Sequence, residues 1–207
     1  MPSYNYLVTQ ERNLMNKGNH KKGEIEIVQE HIVFENEYAT LYNDDVIFPS
    51  GNQGKYLRFL WNSPYGVMVF GKDLAGRLLL VKNFRHENRA WSWEIPKGFG
   101  EIELTPLECA KKELFEEAGC IGKNWELYKA IKEKQSQAYI FNVEIDAATS
   151  VINQENKEAI ADVRFFEVEE LQELLLSSEI TDPMTMFFPI QPASSKSSFL
   201  APSKGVN

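Results

Sequence analysis

The sequence predicts a mixed α/β sandwich preceded by an added N-terminal β region. Three observations predict it. β-rich segments lie on both sides of one well-signalled central helix between Thr105 and Gly119. A second amphipathic segment, Glu169–Leu176, follows near the end. Residues 25–61 form a separate block rich in β-branched and aromatic side chains. This order does not repeat the strand–helix alternation of a doubly wound sheet.

Residues 1–23 are polar and aperiodic and are expected to form a flexible arm. Within an N-terminal β region over 24–61, Ile25–Val28, His31–Phe34, Tyr38–Phe48 and Lys55–Trp61 read as strands, with breaks at Asn43-Asp44-Asp45 and at 49–52. The main domain is expected over 62–190. It opens with apolar strands Gly66–Phe70 and Arg77–Phe84, joined by a hairpin turn at 72–76. Trp91–Ile95 is a short strand whose Trp91 and Trp93 point the same way, which predicts core packing for both. Pro96-Lys97-Gly98-Phe99-Gly100 reads as a turn.

The helix comes next. Thr105 suits the N-cap, Pro106 the first helical position, and Glu108 completes a Thr-x-x-Glu capping box. Leu107, Ala110, Leu114 and Ala118 make one apolar stripe, and Gly119 suits the left-handed residue that ends a helix. Trp125–Lys132, Ala138–Ile145 and Ala161–Val168 read as strands, 147–158 as a polar loop, and Asp182–Phe188 as a short helix. A disordered tail is expected over 191–207.

Composition bounds the function. A formal net charge of -8 repels nucleic-acid phosphates, so nucleic acid is not an expected partner. No apolar run is long enough for a membrane span and the start has no signal-peptide core, so a soluble, cytoplasmic protein without a membrane partner is expected. The two cysteines, Cys109 and Cys120, form neither a disulfide framework nor a thiolate metal pattern.

At about 100° per residue, Glu113, Glu116 and Glu117 share an arc beside the apolar stripe. Helix geometry alone favours a solvated acidic face with Lys112–Glu116 as an ordinary i,i+4 pair. The flanking glycines weigh against that, since Gly98 permits a close backbone approach before the helix. Crowded carboxylates repel unless a cation neutralises them, and hard oxygen donors suit Mg²⁺ or Mn²⁺.

Gly98, Glu113, Leu114, Glu116, Glu117, Gly119 and Cys120 stand at the offsets of the Nudix box, and here the chain resembles the Nudix hydrolases. Two positions depart: Leu104 stands where the box has its first Glu, and Lys112 where it has Arg. Phe84-Arg85, Trp93-Glu94-Ile95-Pro96-x-Gly98 and Ile180–Thr185 look like the ADP-ribose pyrophosphatase branch. The resemblance implies a Nudix α/β/α sandwich and a homodimer built through the 24–61 region. It implies metal-dependent hydrolysis of a nucleoside diphosphate sugar, ADP-ribose first, to AMP and ribose 5-phosphate. Glu113, Glu116 and Glu117 are then the metal ligands for Mg²⁺ (or Mn²⁺). Glu117, Glu113 and Glu158 are the catalytic candidates, with Glu155 a neighbour of Glu158 in the same loop. Arg85, Glu94 and Gly98 are the substrate-binding candidates, against a structural role for Glu94 and an ion pair of Arg85 with Glu87 or Glu94. Glu101 and Glu103 lie in the turn before Leu104 as substitute carboxylates. A degenerate module that binds a nucleotide or protein without turnover is the alternative, as is a hydrolase of another nucleotide sugar or dinucleotide.

Overall fold

In a computed structural model, residues 17–132, 137–146 and 159–186 are described, and they fall into two compact units. Of the described residues, one contains 17–66, 99–103, 130–132 and 137–138; the other contains 67–98, 104–129, 139–146 and 159–186.

The first unit is built on four strands: β1 (Glu26–Gln29), β2 (Ile32–Glu35), β3 (Ala39–Ile47) and β4 (Gln53–Trp61). β4 runs antiparallel along the whole of β3, from Ala39 opposite Trp61 to Ile47 opposite Gln53. β1 and β2 share the other edge of β3, one near Ile47 and the other near Tyr42. Within the expected arm, residues 17–23 are hydrogen-bonded instead. They hold a 3₁₀ turn, His20–Lys22, capped by Asn19 and closed by left-handed Gly23. The Ile27 N–H bonds to the Lys17 carbonyl at 2.6 Å, and His20 Nδ1 meets Glu26 Oε2 at 2.6 Å. Residues 1–16, the loop 147–158 and the tail 191–207 lie outside the described residues.

The expected break at Asn43-Asp44-Asp45 is corrected: this run lies in the middle of β3. Cross-strand charges explain it. Arg58 Nε donates to Asp44 Oδ2 at 2.7 Å while its guanidinium lies 3.8 Å from the Tyr42 ring centre. Lys55 and His31 both bond Asp45, at 2.5 and 2.7 Å. The Lys55 hydrogen bond, then that of His31, holds the Asp45 carboxyl below its ordinary range. Glu101 and Glu103 line a cavity of about 440 Å³ within this unit, together with Glu37, Tyr38, Asn62 and Phe99.

The second unit carries most of a seven-stranded sheet. Its strands are β5 (Gly66–Lys72), β6 (Leu78–Arg85), β7 (Ala90–Glu94), β8 (Lys97–Phe99), β9 (Gly122–Lys132), β10 (Gln137–Ile145) and β11 (Ile160–Phe166). The order is β11-β6-β5-β10-β9, with β7 on β6 and β8 on β5. Successive Leu78, Leu79, Leu80 and Val81 are all buried, so β6 is covered on both faces. The expected hairpin turn is present. Asp73 Oδ1 accepts from the N–H groups of Ala75 and Arg77, and Gly76 takes φ 86°. Among the described residues the unit also holds three helices: α1 (Pro106–Ala118), α2 (Val168–Leu176) and α3 (Pro183–Met186). None of the described helices is long and apolar enough to cross a membrane.

Two local expectations are corrected here. The 96–100 segment is not only a turn, because Lys97–Phe99 stays extended as β8 and pairs with β5. Pro96 has no N–H to give, but its carbonyl accepts from the Val69 N–H at 2.9 Å. Trp91 and Trp93 also part company. Trp93 is buried against Phe166, ring centres 4.8 Å apart, whereas Trp91 at the strand's outer end is 44% exposed and covers Phe84.

Asp44 is 2% exposed, and its Oδ1 has no hydrogen-bond partner among the described residues. Removing the Arg58 charge leaves a buried carboxylate uncompensated. Arg58→Met is expected to cost about 3–5 kcal/mol in urea unfolding; a loss below about 1 kcal/mol contradicts this account of the β3 acidic run.

Candidate active site

Helix α1 begins and ends where its local chemistry requires. Glu108 N–H donates to Thr105 Oγ1 at 3.3 Å and Thr105 N–H to Glu108 Oε2 at 2.8 Å, so both halves of the capping box are made. The Thr105 hydrogen bonds hold the Glu108 carboxyl below its ordinary range. At the other end Gly119 takes φ 63° and its N–H closes on the Phe115 carbonyl at 2.9 Å.

Between these caps the helix buries Cys109, Ala110, Leu114, Glu117 and Ala118. Glu117 therefore belongs to the inward stripe and is 3% exposed. A buried carboxylate needs donors, and the Lys97 N–H supplies one to Glu117 Oε2 at 3.0 Å. Glu113, one turn earlier, is half-buried and lies against Gly98. A Cβ on Gly98 would sit 2.2–2.4 Å from the Glu113 carboxylate atoms, so only glycine leaves that space. Glu116 is turned to Lys112, Oε1 to Nζ 3.6 Å, the i,i+4 pair expected of a solvated face. Leu104, just before the cap, is half-buried.

A charge network adjoins Glu117 through Lys97. Glu94 ends β7 and is 1% exposed. Arg85 Nε reaches both Glu94 oxygens at 3.0 Å, and Arg85 Nη2 donates to Oε2 at 2.5 Å. Of the two expected partners, Glu94 and not Glu87 makes the ion pair with Arg85 among the described residues. Its hydrogen bonds raise the Arg85 pKa against the opposing effect of burial, with Glu117 and Asp182 adding to the rise. Lys97 Nζ also bonds Glu94 Oε2, and it meets Asp182 Oδ1 at 2.9 Å. Asp182 Oδ2 in turn accepts from the Thr185 hydroxyl and N–H, at 2.6 and 2.8 Å. Thr185 Oγ1 accepts the Ile95 N–H at 3.1 Å, and Ser92 Oγ accepts the Thr181 N–H at 3.0 Å. The 181–185 segment is therefore fastened to the strand that leads into Gly98.

Burial pushes the Asp182 carboxyl up, but the Lys97 charge and the Thr185 hydrogen bonds outweigh it and the net shift is downward. Its stabilising contribution is present above the ordinary value of 3.8 and is lost as pH falls through the lowered one.

The arrangement brings together two groups of the sequence-selected residues: Gly98 with Glu113, and Arg85 with Glu94. Glu117 joins the second through Lys97. Glu155 and Glu158 lie outside the described residues. Among the described residues, as their side chains stand, no three His, Cys, Asp or Glu groups converge in a set that could hold a metal ion. The donor chemistry nonetheless fits a hard divalent cation, because three carboxylates share one helix and the Gly98 gap leaves room for that of Glu113. Lys97 was not singled out from the sequence. Its signal there is a cation three residues after Glu94, between Pro96 and Gly98.

These features sit in a region that a NUDIX domain profile matches over residues 62–186, more than half of the chain. The chain belongs to the Nudix family and is a Nudix hydrolase. Within that family it is ADP-ribose pyrophosphatase-like. It is 29% identical over 161 residues to the ADP-ribose pyrophosphatase of Bacillus subtilis (strain 168), spanning 75% of this chain and 85% of that protein. A crystal structure of an ADP compounds hydrolase superposes with a TM-score of 0.64 at 16% identity, over 78% of this chain and 88% of that one. That likeness establishes the expected mixed α/β Nudix fold.

The carboxylate facing Gly98 is the far end of a flexible side chain. Gly98→Ala is therefore expected to displace Glu113 rather than unfold the protein. Thermal unfolding should change by only about 1 kcal/mol while hydrolysis falls at least about tenfold. Full activity in the folded variant contradicts the close-approach role of Gly98.

Proposed function

We propose that the protein is a metal-dependent hydrolase of a nucleoside diphosphate sugar, with ADP-ribose the first substrate and AMP and ribose 5-phosphate the products. The observation that carries this is the pairing of a carboxylate helix with a glycine that makes room for one of its side chains: Gly98 under Glu113, with Glu117 buried beside it on the Lys97 N–H. The relative from Bacillus subtilis, named an ADP-ribose pyrophosphatase, supports the choice of substrate.

Glu113, Glu116 and Glu117 would hold Mg²⁺ or Mn²⁺. When bound, such an ion neutralises charge on the phosphoryl oxygens and acidifies water. Glu116 leaves its partly exposed pair with Lys112 to take part, a small cost for a surface ion pair. Arg85 binds the diphosphate. Glu94 holds its fork through Nε and Nη2, and 31% of the Arg85 side chain stays exposed for an anion. The oxygen of water adds to one phosphorus, the bridging P–O bond breaks, and the bridging oxygen leaves with the other phosphate. Glu158 is the base that takes the proton from that water, a role that rests on the family resemblance. Leu104 removes one carboxylate from the box, and Lys112 follows from that loss because a rigid guanidinium fork has less to hold.

A homodimer is part of the same reading. Leu57, Phe59 and Trp61 alternate along β4, share one face, and are 62, 51 and 55% exposed. An apolar sheet face of this kind marks an association surface, and the 24–61 region is its proposed dimerisation element. A cytoplasmic setting belongs to the same reading, with Cys109 and Cys120 buried as thiols.

Incubation with Mg²⁺ or Mn²⁺ and a panel of nucleoside diphosphate derivatives, read by mass, should show ADP-ribose cleaved to AMP and ribose 5-phosphate. Glu117→Gln should lower that rate at least about a hundredfold. Cleavage of no panel member would falsify the reading, and preference for another nucleotide sugar or a dinucleotide would replace the substrate. Sedimentation velocity should give twice the chain mass, with Phe59→Glu giving a monomer; a monomeric wild type removes the dimer from the proposal.

A further inference from the structure

The ammonium of Lys97 and its own backbone N–H serve different partners. The N–H holds Glu117 Oε2 at 3.0 Å, while Nζ joins Glu94 to Asp182. Asp182 is in turn locked by two hydrogen bonds from Thr185, whose hydroxyl returns to Ile95 N–H, two residues before Lys97. The loop of contacts is closed: Lys97, Asp182, Thr185, Ile95 and back to Lys97 along the chain. Beside it the cations Arg85 and Lys97 pair with two carboxylates, Glu94 and Asp182, while a third, Glu117, accepts the Lys97 backbone N–H.

We propose that Lys97, anchored by Asp182, is a positioning residue that sets the metal affinity of Glu117. This rests on the reading of α1 as the metal site. Without the Lys97 charge, Glu94 and Asp182 repel across the place where Nζ stood, and the extended Ile95–Gly98 backbone keeps the Ile95 tie to the 181–185 segment but loses the one nearest Gly98. The N–H that orients Glu117 moves with that backbone, and so does the Gly98 gap in which Glu113 sits. A residue near the C-terminal end of the described chain thereby controls a carboxylate of the central helix. Partners that orient a ligating carboxylate ordinarily matter by about 10–100-fold in metal affinity.

The test is a Mn²⁺ titration followed by the electron paramagnetic resonance of the free ion, on full-length wild type, Lys97→Met, Lys97→Arg and Asp182→Asn. Turnover of the best substrate and thermal melting are measured on the same samples. Asp182→Asn keeps the side-chain shape and an acceptor for Thr185, so it reports even where Lys97→Met fails to fold. The expected result is Mn²⁺ binding weakened at least about tenfold in Lys97→Met and at least about threefold in Asp182→Asn, with kcat reduced in step and KM changed less than about twofold. Lys97→Arg should recover most of the affinity. A network that only stabilises the fold would lower the melting temperature and leave Mn²⁺ affinity of the folded protein alone. Affinity within about twofold of wild type in Asp182→Asn and in folded Lys97→Met overturns the proposal while leaving the metal site intact. Wild type that binds no Mn²⁺ overturns both the proposal and the metal reading.

Discussion

The buried carboxylate of Glu94 is the constraint from which this site follows. At 1% exposure it is a charge that the fold must compensate in place. Arg85 does so from β6 and Lys97 from β8, which fixes the ends of both strands relative to β7. Once Lys97 is held, its backbone N–H has a set direction, and that direction is toward Glu117. The 181–185 segment enters because the Lys97 ammonium has room for a second acceptor, and Asp182 fills it. Neutralising one acid thus brings a strand end, a helix and a late segment of chain to the same place.

The helix contributes the complementary rigidity. Its capping box and its left-handed Gly119 determine where the turns begin and stop, so the inward direction of Glu117 and the position of Glu113 over Gly98 are set by local chemistry. The cost of crowding acids on one face is moderated differently for each. Glu117 takes a backbone N–H, Glu113 lies against bare backbone, and Glu116 pairs with Lys112 near solvent. That graded series, from buried to exposed, suits residues with different shares in holding a cation.

What the sequence revealed was what local chemistry controls. Thr105, Pro106, Glu108 and Gly119 marked the helix because caps act within four residues. The β-rich blocks were visible from short apolar runs such as Leu78–Val81. Long-range pairing was not visible. Pro96-Lys97-Gly98 looks like a turn in isolation and becomes β8 only because β5 offers its edge. Asn43-Asp44-Asp45 looks like a break and remains strand because Arg58, Lys55 and His31 answer its charges from elsewhere in the sheet. The same limit applied to the site. Gly98 and the helix acids could be located by spacing, but the tie from Lys97 to Asp182 spans most of the domain and leaves no local pattern.

The central claim is that Glu113, Glu116 and Glu117 bind a divalent cation in the place that Gly98 and Lys97 prepare. Anomalous diffraction from crystals grown with Mn²⁺ and a non-hydrolysable ADP-ribose analogue tests it most directly. The account predicts manganese peaks within coordination distance of carboxylate oxygens of Glu113 and Glu117, with Glu116 turned from Lys112 toward the ion and the analogue's diphosphate between the metal and Arg85. Manganese bound elsewhere, with Glu116 still paired to Lys112 and the diphosphate away from this helix, would contradict it.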